Sequence, residues 1–198
     1  RTGRNFAVDH FGVVPDLMAV AKGMGSGYTA GGVLVHRKIV QALEAGSGVL
    51  THSFTYSGNP LMCATASAVL QYLQDNRLVE RSAQMGAVFL KKLKELEELP
   101  YVGQARGLGL MLGLEFVEDK ADKRPFANGF NFSAQLAAYC FQRGIVITGG
   151  VLGAADGILG DALQIAPPFI ITEQEIDRVV DTLRQGILEI GQTLQPRV

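Results

Sequence analysis

The chain has 198 residues, of which 47% are apolar and 19% charged, and its net charge at pH 7 is -1. Acidic and basic side chains are interspersed, so the sequence offers no basic stripe that would attract nucleic acid or an anionic membrane. No apolar run approaches the roughly 20 residues needed to cross a bilayer, and no secretory signal pattern opens the sequence. We therefore expect a soluble cytoplasmic protein that binds neither nucleic acid nor membrane.

The first third of the chain predicts alternating strands and helices. The apolar run at residues 17–21 indicates a buried strand, and residues 32–36 indicate a second one. Residues 37–46 have the pattern of a helix that ends at a glycine. Asn59 and Pro60 then predict the N-cap and the first position of another helix.

The rest of the chain predicts a second set of elements. A long amphipathic helix is followed by two glycine-broken strands, a charged surface loop and a helix. A strand, a glycine-rich loop, another strand and a final helix with a capping box complete the series. The long helix is expected over 78–99, the two strands over 101–117, the charged loop over 121–131 and the next helix over 133–143. The following strand is expected over 145–148, the glycine-rich loop over 149–160 and the last strand over 163–166. The final helix is expected from 173 onward, with Thr172 and Glu175 as its capping box.

A change of character near residues 75–80 predicts a domain boundary. We expect residues 1–77 to be part of a large α/β domain and residues 78–198 to form a small α+β domain. The low charged fraction predicts large interfaces with further chain segments or with a partner subunit. Because Arg1 is not an initiator methionine, we also expect upstream sequence to be missing.

The cysteines and histidines predict no metal site. Cys63 and Cys140 lie in apolar, helix-like sequence and are interpreted as small core residues. His10, His36 and His52 are dispersed and lack the spacing of metal ligands.

Lys22 is the candidate reactive residue. It follows the first predicted strand and precedes alternating glycines, so we expect its amine to be partly desolvated. A desolvated amine loses its proton more readily and becomes the nucleophile that Schiff-base chemistry needs. The alternative is a lysine that ends a strand and points to solvent, as most lysines do.

The polar and aromatic loop at residues 52–60 is a second candidate site. Its hydroxyl groups lie beside a predicted helix N-terminus, where free N–H groups and the helix dipole favour an anion such as phosphate. The alternative is an ordinary capping loop in which the hydroxyls only stabilise the turn.

Six short motifs follow one another along the chain. They are Arg-Thr-Gly-Arg at 1–4, His-Phe-Gly-Val-Val-Pro-Asp at 10–16, Ala-Lys-Gly at 21–23, Thr-Tyr-Ser-Gly-Asn-Pro at 55–60, Arg-Gly-Leu-Gly-Leu-Met at 106–111 and Ala-Pro-Pro at 166–168. In this order they resemble the motifs of class III pyridoxal-phosphate-dependent aminotransferases over essentially the whole chain. The resemblance implies an α/β fold of type I: the C-terminal part of the large cofactor domain, followed by the small α+β domain.

The resemblance also implies a cofactor, two site residues and a reaction. Lys22 would be the catalytic lysine that forms a Schiff base with pyridoxal 5′-phosphate and moves the proton at the substrate carbon. Thr55 matches the threonine that donates to the cofactor phosphate of the neighbouring subunit, which implies a homodimer with shared active sites. The expected reaction transfers an amino group from an amine or ω-amino acid to a keto acid.

Gln164 departs from part of the family. Members that act on α-amino acids often carry an arginine in this strand, where it binds the substrate carboxylate through two hydrogen bonds. The neutral amide favours the branch that uses amines or ω-amino acids, unless Gln164 faces away from the substrate. Arg106, in contrast, is expected to be a structural ion-pair residue.

Several parts of the family's site have no counterpart in this chain. They are the aspartate beside the pyridinium nitrogen, the upstream phosphate loop and the aromatic residue that stacks on the cofactor ring. The chain by itself should therefore be inactive. Two alternatives stay open: another pyridoxal-phosphate enzyme on this scaffold (an aminomutase, decarboxylase or racemase), or a catalytically incomplete fragment.

Overall fold

The computed structural model describes residues 1–127, 129–155 and 159–194, with residues 152–155 as backbone alone. The described residues form two compact units. The N-terminal unit is Phe6–Leu78, and the C-terminal unit combines Arg1–Asn5 with the residues from Val79 onward. Within the described ranges, no helix has both the length and the apolar character that a membrane crossing requires.

The N-terminal unit contains a two-stranded antiparallel sheet and two helices. They are strand β1 (Leu17–Val20), strand β2 (Gly32–Val35), helix α1 (Arg37–Ala45) and helix α2 (Pro60–Asp75). Asn59 caps α2, since its side-chain oxygen accepts hydrogen bonds from the N–H groups of Leu61 at 3.0 Å and Met62 at 3.2 Å. The predicted elements of this unit are confirmed, to within about a residue at each end.

The N-terminal unit has almost no core of its own. Its buried apolar side chains are those of Ala30, Ala66 and Leu78. The expectation that β1 is a buried strand is wrong for the described structure, because β1 and β2 pair only with each other there. Leu17 is 58% exposed and Val33 is 61% exposed as a result.

The C-terminal unit contains a four-stranded antiparallel sheet in the order β3-β4-β6-β5. Its elements are α3 (Leu78–Lys94), β3 (Val102–Leu108), β4 (Met111–Phe116), α4 (Phe132–Gln142), β5 (Thr148–Ala155), β6 (Leu159–Ile165) and α5 (Glu173–Leu194). The helix expected over residues 78–99 instead ends at Lys94 and continues as a 3-10 turn over Glu95–Glu98. The capping box of α5 is confirmed, with Glu175 N–H donating to the Thr172 hydroxyl at 3.2 Å.

One face of this sheet packs against the helices and forms the core. On β4, Leu112, Leu114 and Phe116 are buried, while the alternate residues Met111 and Glu115 lie on the opposite face. This period-two alternation was predicted and is confirmed. The helices contribute Phe89, Leu93, Leu136, Ile176, Leu183 and Ile187, all of them fully buried. The opposite face of the sheet stays more open.

The structure corrects two expectations in the C-terminal half. Residues 145–147 are not a strand, and the segment expected as a glycine-rich loop is largely strand: β5 begins at Thr148 and β6 begins at Leu159. Gly149 and Gly150 lie in a bulge between Thr148 and Val151, which tolerates glycines better than a regular strand interior does. The expected loop also includes residues 156–158, which lie outside the described ones.

The two cysteines differ in their surroundings. Cys140 is buried in the core, as expected. The interpretation of Cys63 as a core residue is wrong, because it lies on an exposed part of α2. The sequence around both is apolar, but in the N-terminal unit most apolar side chains stay exposed.

Candidate active site

Lys22 lies in a strained turn directly after β1. It begins a short 3-10 turn, Lys22–Met24, and its backbone φ is +52°, in the left-handed region. For a residue other than glycine this conformation costs roughly 1–2 kcal/mol. Such strain is concentrated at functional sites, where the surrounding structure holds it in place. The turn therefore supports the choice of Lys22 as a functional residue.

The two glycines that follow Lys22, Gly23 and Gly25, differ in the space around them. A Cβ on Gly25 would lie 2.1 Å from the carbonyl oxygen of Tyr28, so no other residue fits there. The N–H of Gly25 donates to the carbonyl of Lys22 at 3.0 Å. A Cβ on Gly23 would meet no atom within 4 Å. The turn is therefore sterically open at Gly23.

The side chain of Lys22 is exposed, so the expected desolvation is absent from the described structure. The reason is the same as for β1: within the described residues this strand is covered only by β2. No hydrogen bond or ion pair joins the Lys22 amine to another described residue. Lys38 of the same unit, in contrast, pairs with Asp16 at 2.6 Å. The Lys22 amine is thus exposed and unpaired among the described residues.

Thr55 lies in the loop that leads into α2. Two neighbours carry the hydrogen bonds that stabilise this loop: Ser57 Oγ accepts from Phe54 N–H at 3.1 Å, and Asn59 caps the helix. The Thr55 side chain is exposed, and its hydroxyl has no partner among the described residues. Ser57 therefore stabilises the turn through its hydroxyl, whereas the Thr55 hydroxyl does not.

Helix α2 packs against the Lys22–Met24 turn. The loop that contains Thr55 leads directly into this helix. No hydrogen bond joins Lys22 to Thr55 in the described structure. Among the described residues, no group of His, Cys, Asp and Glu side chains is arranged to hold a metal ion. The two candidate groups of this unit are thus the Lys22 amine and the Thr55 hydroxyl, both exposed.

Gln164 lies in the C-terminal unit, on the open face of the sheet. Its Cα partners are Gly113 on β4 and Thr148 on β5, and its Nε2 is 3.7 Å from the sulfur of Met111. A hollow of about 560 Å³ opens there, with mostly apolar walls. Arg106 lines the same hollow and forms an ion pair with Glu115, so its expected ion pair is confirmed.

The sequence did not predict the network that holds the strands beside Gln164. Asp161 on β6 is 3% exposed and accepts hydrogen bonds from the N–H and the hydroxyl of Ser133 at the start of α4. In the sequence near Gln164, the only hint of this network is the pair Gly149-Gly150. The residues that this pair contacts lie far from it in the sequence.

Solved transaminases share this fold along nearly the whole chain. A transaminase from the marine bacterium Virgibacillus has a TM-score of 0.89 at 33% identity, with 98% of this chain and 44% of that chain covered. An (S)-enantioselective omega-transaminase from Thermomicrobium roseum has a TM-score of 0.83 at 39% identity, with 96% and 41% covered. The architecture is that of a transaminase, and the expected α/β fold of type I is confirmed.

Curated relatives point to the same class. An uncharacterized aminotransferase of Schizosaccharomyces pombe is 38% identical over 189 residues, which are 94% of this chain and 41% of the relative. The putrescine–pyruvate aminotransferase of Pseudomonas aeruginosa is 34% identical over 187 residues, which are 93% of this chain and 39% of the relative. Residues 1–187 match the class-III aminotransferase family, and the chain belongs to that family. It spans about two fifths of the length of these relatives.

Proposed function

We propose that this chain carries the catalytic lysine of a pyridoxal-phosphate-dependent aminotransferase, and that the lysine is Lys22. The enzyme transfers an amino group from an amine or ω-amino acid to a keto acid. The observation that carries the proposal is the turn after β1, which presents an amine without a partner from a strained left-handed residue in a class III chain. We also propose that residues 1–77 are part of a large domain and that residues 78–198 form a small one.

The residues present suit the cofactor in two respects. The free Lys22 amine can bond covalently to an aldehyde, and the open side at Gly23 leaves room for a flat ring. The Thr55 hydroxyl lies in the loop before α2 and can donate to a phosphate oxygen, whereas the first N–H groups of α2, those of Leu61 and Met62, already donate to Asn59. When bound, pyridoxal 5′-phosphate supplies an electron sink for the carbon that carries the amino group.

Each of these residues then has a defined task. Lys22 would hold the cofactor through its amine; once the amine of the amino donor has displaced it, the released Lys22 amine would move a proton at the amino-bearing carbon of the substrate, first as a base and then as an acid. Thr55 donates its hydroxyl proton to a phosphate oxygen. By the family resemblance that phosphate belongs to the neighbouring subunit, so we propose a cytoplasmic homodimer with shared active sites.

Two observations favour an amine or ω-amino acid as the amino donor. The relatives include a putrescine–pyruvate aminotransferase, and the solved structures include an omega-transaminase. By the family resemblance, Gln164 would also put an uncharged amide where an arginine provides a charge partner for a substrate carboxylate in other members.

The proposal is tested by trapping the cofactor. The protein, purified at the length that its gene encodes, is mixed with pyridoxal 5′-phosphate, reduced with borohydride and digested, and the labelled peptide is identified by mass spectrometry. We expect the label on Lys22, its loss in Lys22→Ala, and its retention in the control Lys38→Ala. A label elsewhere contradicts the assignment. A label on Lys22 without turnover of an amine and pyruvate favours the catalytically incomplete fragment.

A further inference from the structure

Strand β3 is an edge of the four-stranded sheet. Among the described residues it pairs with β4 on one side, and no strand lies on its other side. The free edge of a strand presents unpaired N–H and C=O groups to which a further strand can bond. Such an edge is also self-complementary, because two copies of it can pair antiparallel about a twofold axis. The edge of β3 therefore offers a contact between copies of this chain unless something blocks it.

The side chain of Glu97 blocks the centre of this edge. Its Oε1 accepts from the N–H of Ala105 at 2.7 Å, and Ala105 is the middle residue of Val102–Leu108. This N–H points away from β4, so the carboxylate takes the place of the carbonyl that an added strand would bring. A charged side chain at a strand edge is one of the ways in which proteins prevent strand addition.

The position of Glu97 is fixed from two sides. Glu97 belongs to the 3-10 turn Glu95–Glu98, which lies against β3. Leu96 of the same turn is fully buried and anchors it in the core. The ammonium group of Lys120 donates to the carbonyl of Glu97 and, at 3.1 Å, to that of Leu99. The turn is thus held along the edge by a core side chain and by a lysine.

The rest of the edge has less protection. Gly103 and Gly107, two residues before and after Ala105, carry no side chain that would obstruct a partner. A register shift between Val102 and Gln104 interrupts the regular pairing with β4 at one end of the strand. Such a bulge discourages strand addition where it occurs. The centre and the other end of β3 therefore depend on Glu97.

The side chains of β3 suit a second copy of the same strand. In a twofold pair centred on Ala105, Gln104 of one copy would lie opposite Arg106 of the other. Within one copy the Arg106 guanidinium group already donates to Oε1 of Gln104 at 2.9 Å, so the two side chains are compatible neighbours. Like charges directly opposite each other would disfavour pairing, and this register avoids them.

We propose that Glu97 guards the edge of β3 and keeps the C-terminal unit from pairing, edge to edge, with a second copy of this chain. The excluded partner is β3 of that copy in antiparallel orientation. Lys120 is the positioning residue, because it holds the turn that carries Glu97. The inference uses neither Lys22 nor Thr55, so it stands or falls separately from the proposed function.

Sedimentation velocity over a range of protein concentrations tests this inference. We expect Glu97→Ala to form larger species than the unmodified protein at the same concentration. Glu98→Ala removes the same charge from an exposed position of the same turn and should match the unmodified protein. Glu97→Gln keeps an oxygen acceptor for the Ala105 N–H and should match it too. Equal sizes of Glu97→Ala and the unmodified protein overturn the inference.

Two double variants show whether β3 is the contact. In the Glu97→Ala background, Gln104→Arg places like charges opposite each other across the twofold pair and should abolish the association. Gln142→Arg adds the same charge at an exposed position of α4 and should leave the association unchanged. Equal association of the two double variants would show that the copies meet elsewhere, and would overturn the inference.

Hydrogen exchange at Ala105 gives a readout that a merely unfolded variant would not reproduce. In dilute Glu97→Ala we expect this amide to exchange roughly 10-fold faster than in the unmodified protein, the loss of one hydrogen bond to a charged group. Its protection should return as the concentration rises, because a second β3 then pairs with it. Lys120→Ala, which releases the turn but keeps the carboxylate, should show the same changes to a smaller extent. Rapid exchange at every concentration in both variants overturns the inference.

Discussion

The guanidinium group of Arg1 donates to the carbonyl oxygen of Pro167 at 2.5 Å, although the two residues are 166 positions apart in the sequence. The same group lies over the ring of Phe169, 5.1 Å from its centroid. The carbonyl of Arg1 accepts from the N–H of Leu110 at 2.9 Å, and a Cβ on Gly109 would lie 2.5 Å from that carbonyl oxygen. The Ser82 hydroxyl also donates to the Arg1 carbonyl, so the first residue is bonded to three parts of the C-terminal unit that are distant from it in the sequence.

Arg1→Ala should lower the free energy of unfolding of the C-terminal unit by about 1–2 kcal/mol, because it removes a charged hydrogen bond and a cation–π contact at a partly exposed site. Urea unfolding followed by the near-ultraviolet signal of the tyrosines measures this change. The control is Lys91→Ala, an exposed cation on α3 without a partner among the described residues. Equal stability of the two variants would contradict the role of Arg1.

Gly25→Ala and Gly23→Ala should have opposite outcomes for cofactor trapping at Lys22. A Cβ at Gly25 collides with the Tyr28 carbonyl, whereas a Cβ at Gly23 meets nothing within 4 Å. We expect Gly25→Ala to lose most of the borohydride-stable label while its lysine is intact, and Gly23→Ala to keep it. The yield of labelled peptide measures both. Equal labelling of the two variants would show that the shape of the turn does not matter for the reaction.

Glu175 should make the stability of the C-terminal unit depend on pH. The N–H and the hydroxyl of Thr172 donate to its carboxylate at 2.8 Å and 2.9 Å, and these bonds hold the pKa of Glu175 below its usual value of 4.5. Because the pKa is lower in the folded state, the carboxylate stabilises the fold above that usual value. The contribution is lost as the pH falls through the folded-state pKa.

Urea midpoints of the unmodified protein and of Glu175→Gln, measured at about pH 7 and about pH 2.5, test this effect. We expect a difference at the higher pH that disappears at the lower one. Glu173→Gln, in the same helical turn but without such a bond to a described residue, should show a smaller difference. A difference for Glu175→Gln that persists in acid would rule out the capping bond as its cause.

The two cysteines should differ in their reaction with thiol reagents. Burial raises the pKa of the Cys140 thiol to about 11, so it is protonated and inaccessible near neutral pH, while Cys63 is exposed. We expect one thiol to react rapidly with a disulfide reagent in the native protein and the second only in urea. The variant Cys63→Ser should abolish the rapid phase. Two rapid phases would place Cys140 at an accessible position.

Features that depend on neighbouring residues were predictable from the sequence. Asn59 and Pro60 mark the start of α2, and Thr172 with Glu175 marks the start of α5, because a helix cap is formed by residues within one turn. The alternation over β4 was equally readable, since one face of that strand lies in the core.

Features that depend on distant residues were not predictable. The start of β5 was misplaced because Gly149 and Gly150 are typical of a loop, and their role as a bulge depends on Ser133 and Asp161. The surroundings of Lys22 were also misjudged, because an apolar strand is buried only where something covers it. The assignments of Lys22 and Thr55 remain predictions from the family resemblance.

The division of the chain into units has a topological consequence. Since Arg1–Asn5 belongs to the same unit as the residues from Val79 onward, the segment Phe6–Leu78 is in effect a long insertion whose two ends are both attached to one folded body. An insertion anchored twice loses less entropy when it becomes ordered than a free tail does. A single proteolytic cut within it would leave Arg1–Asn5 bound by non-covalent contacts alone, so the two products should remain together until a denaturant separates them.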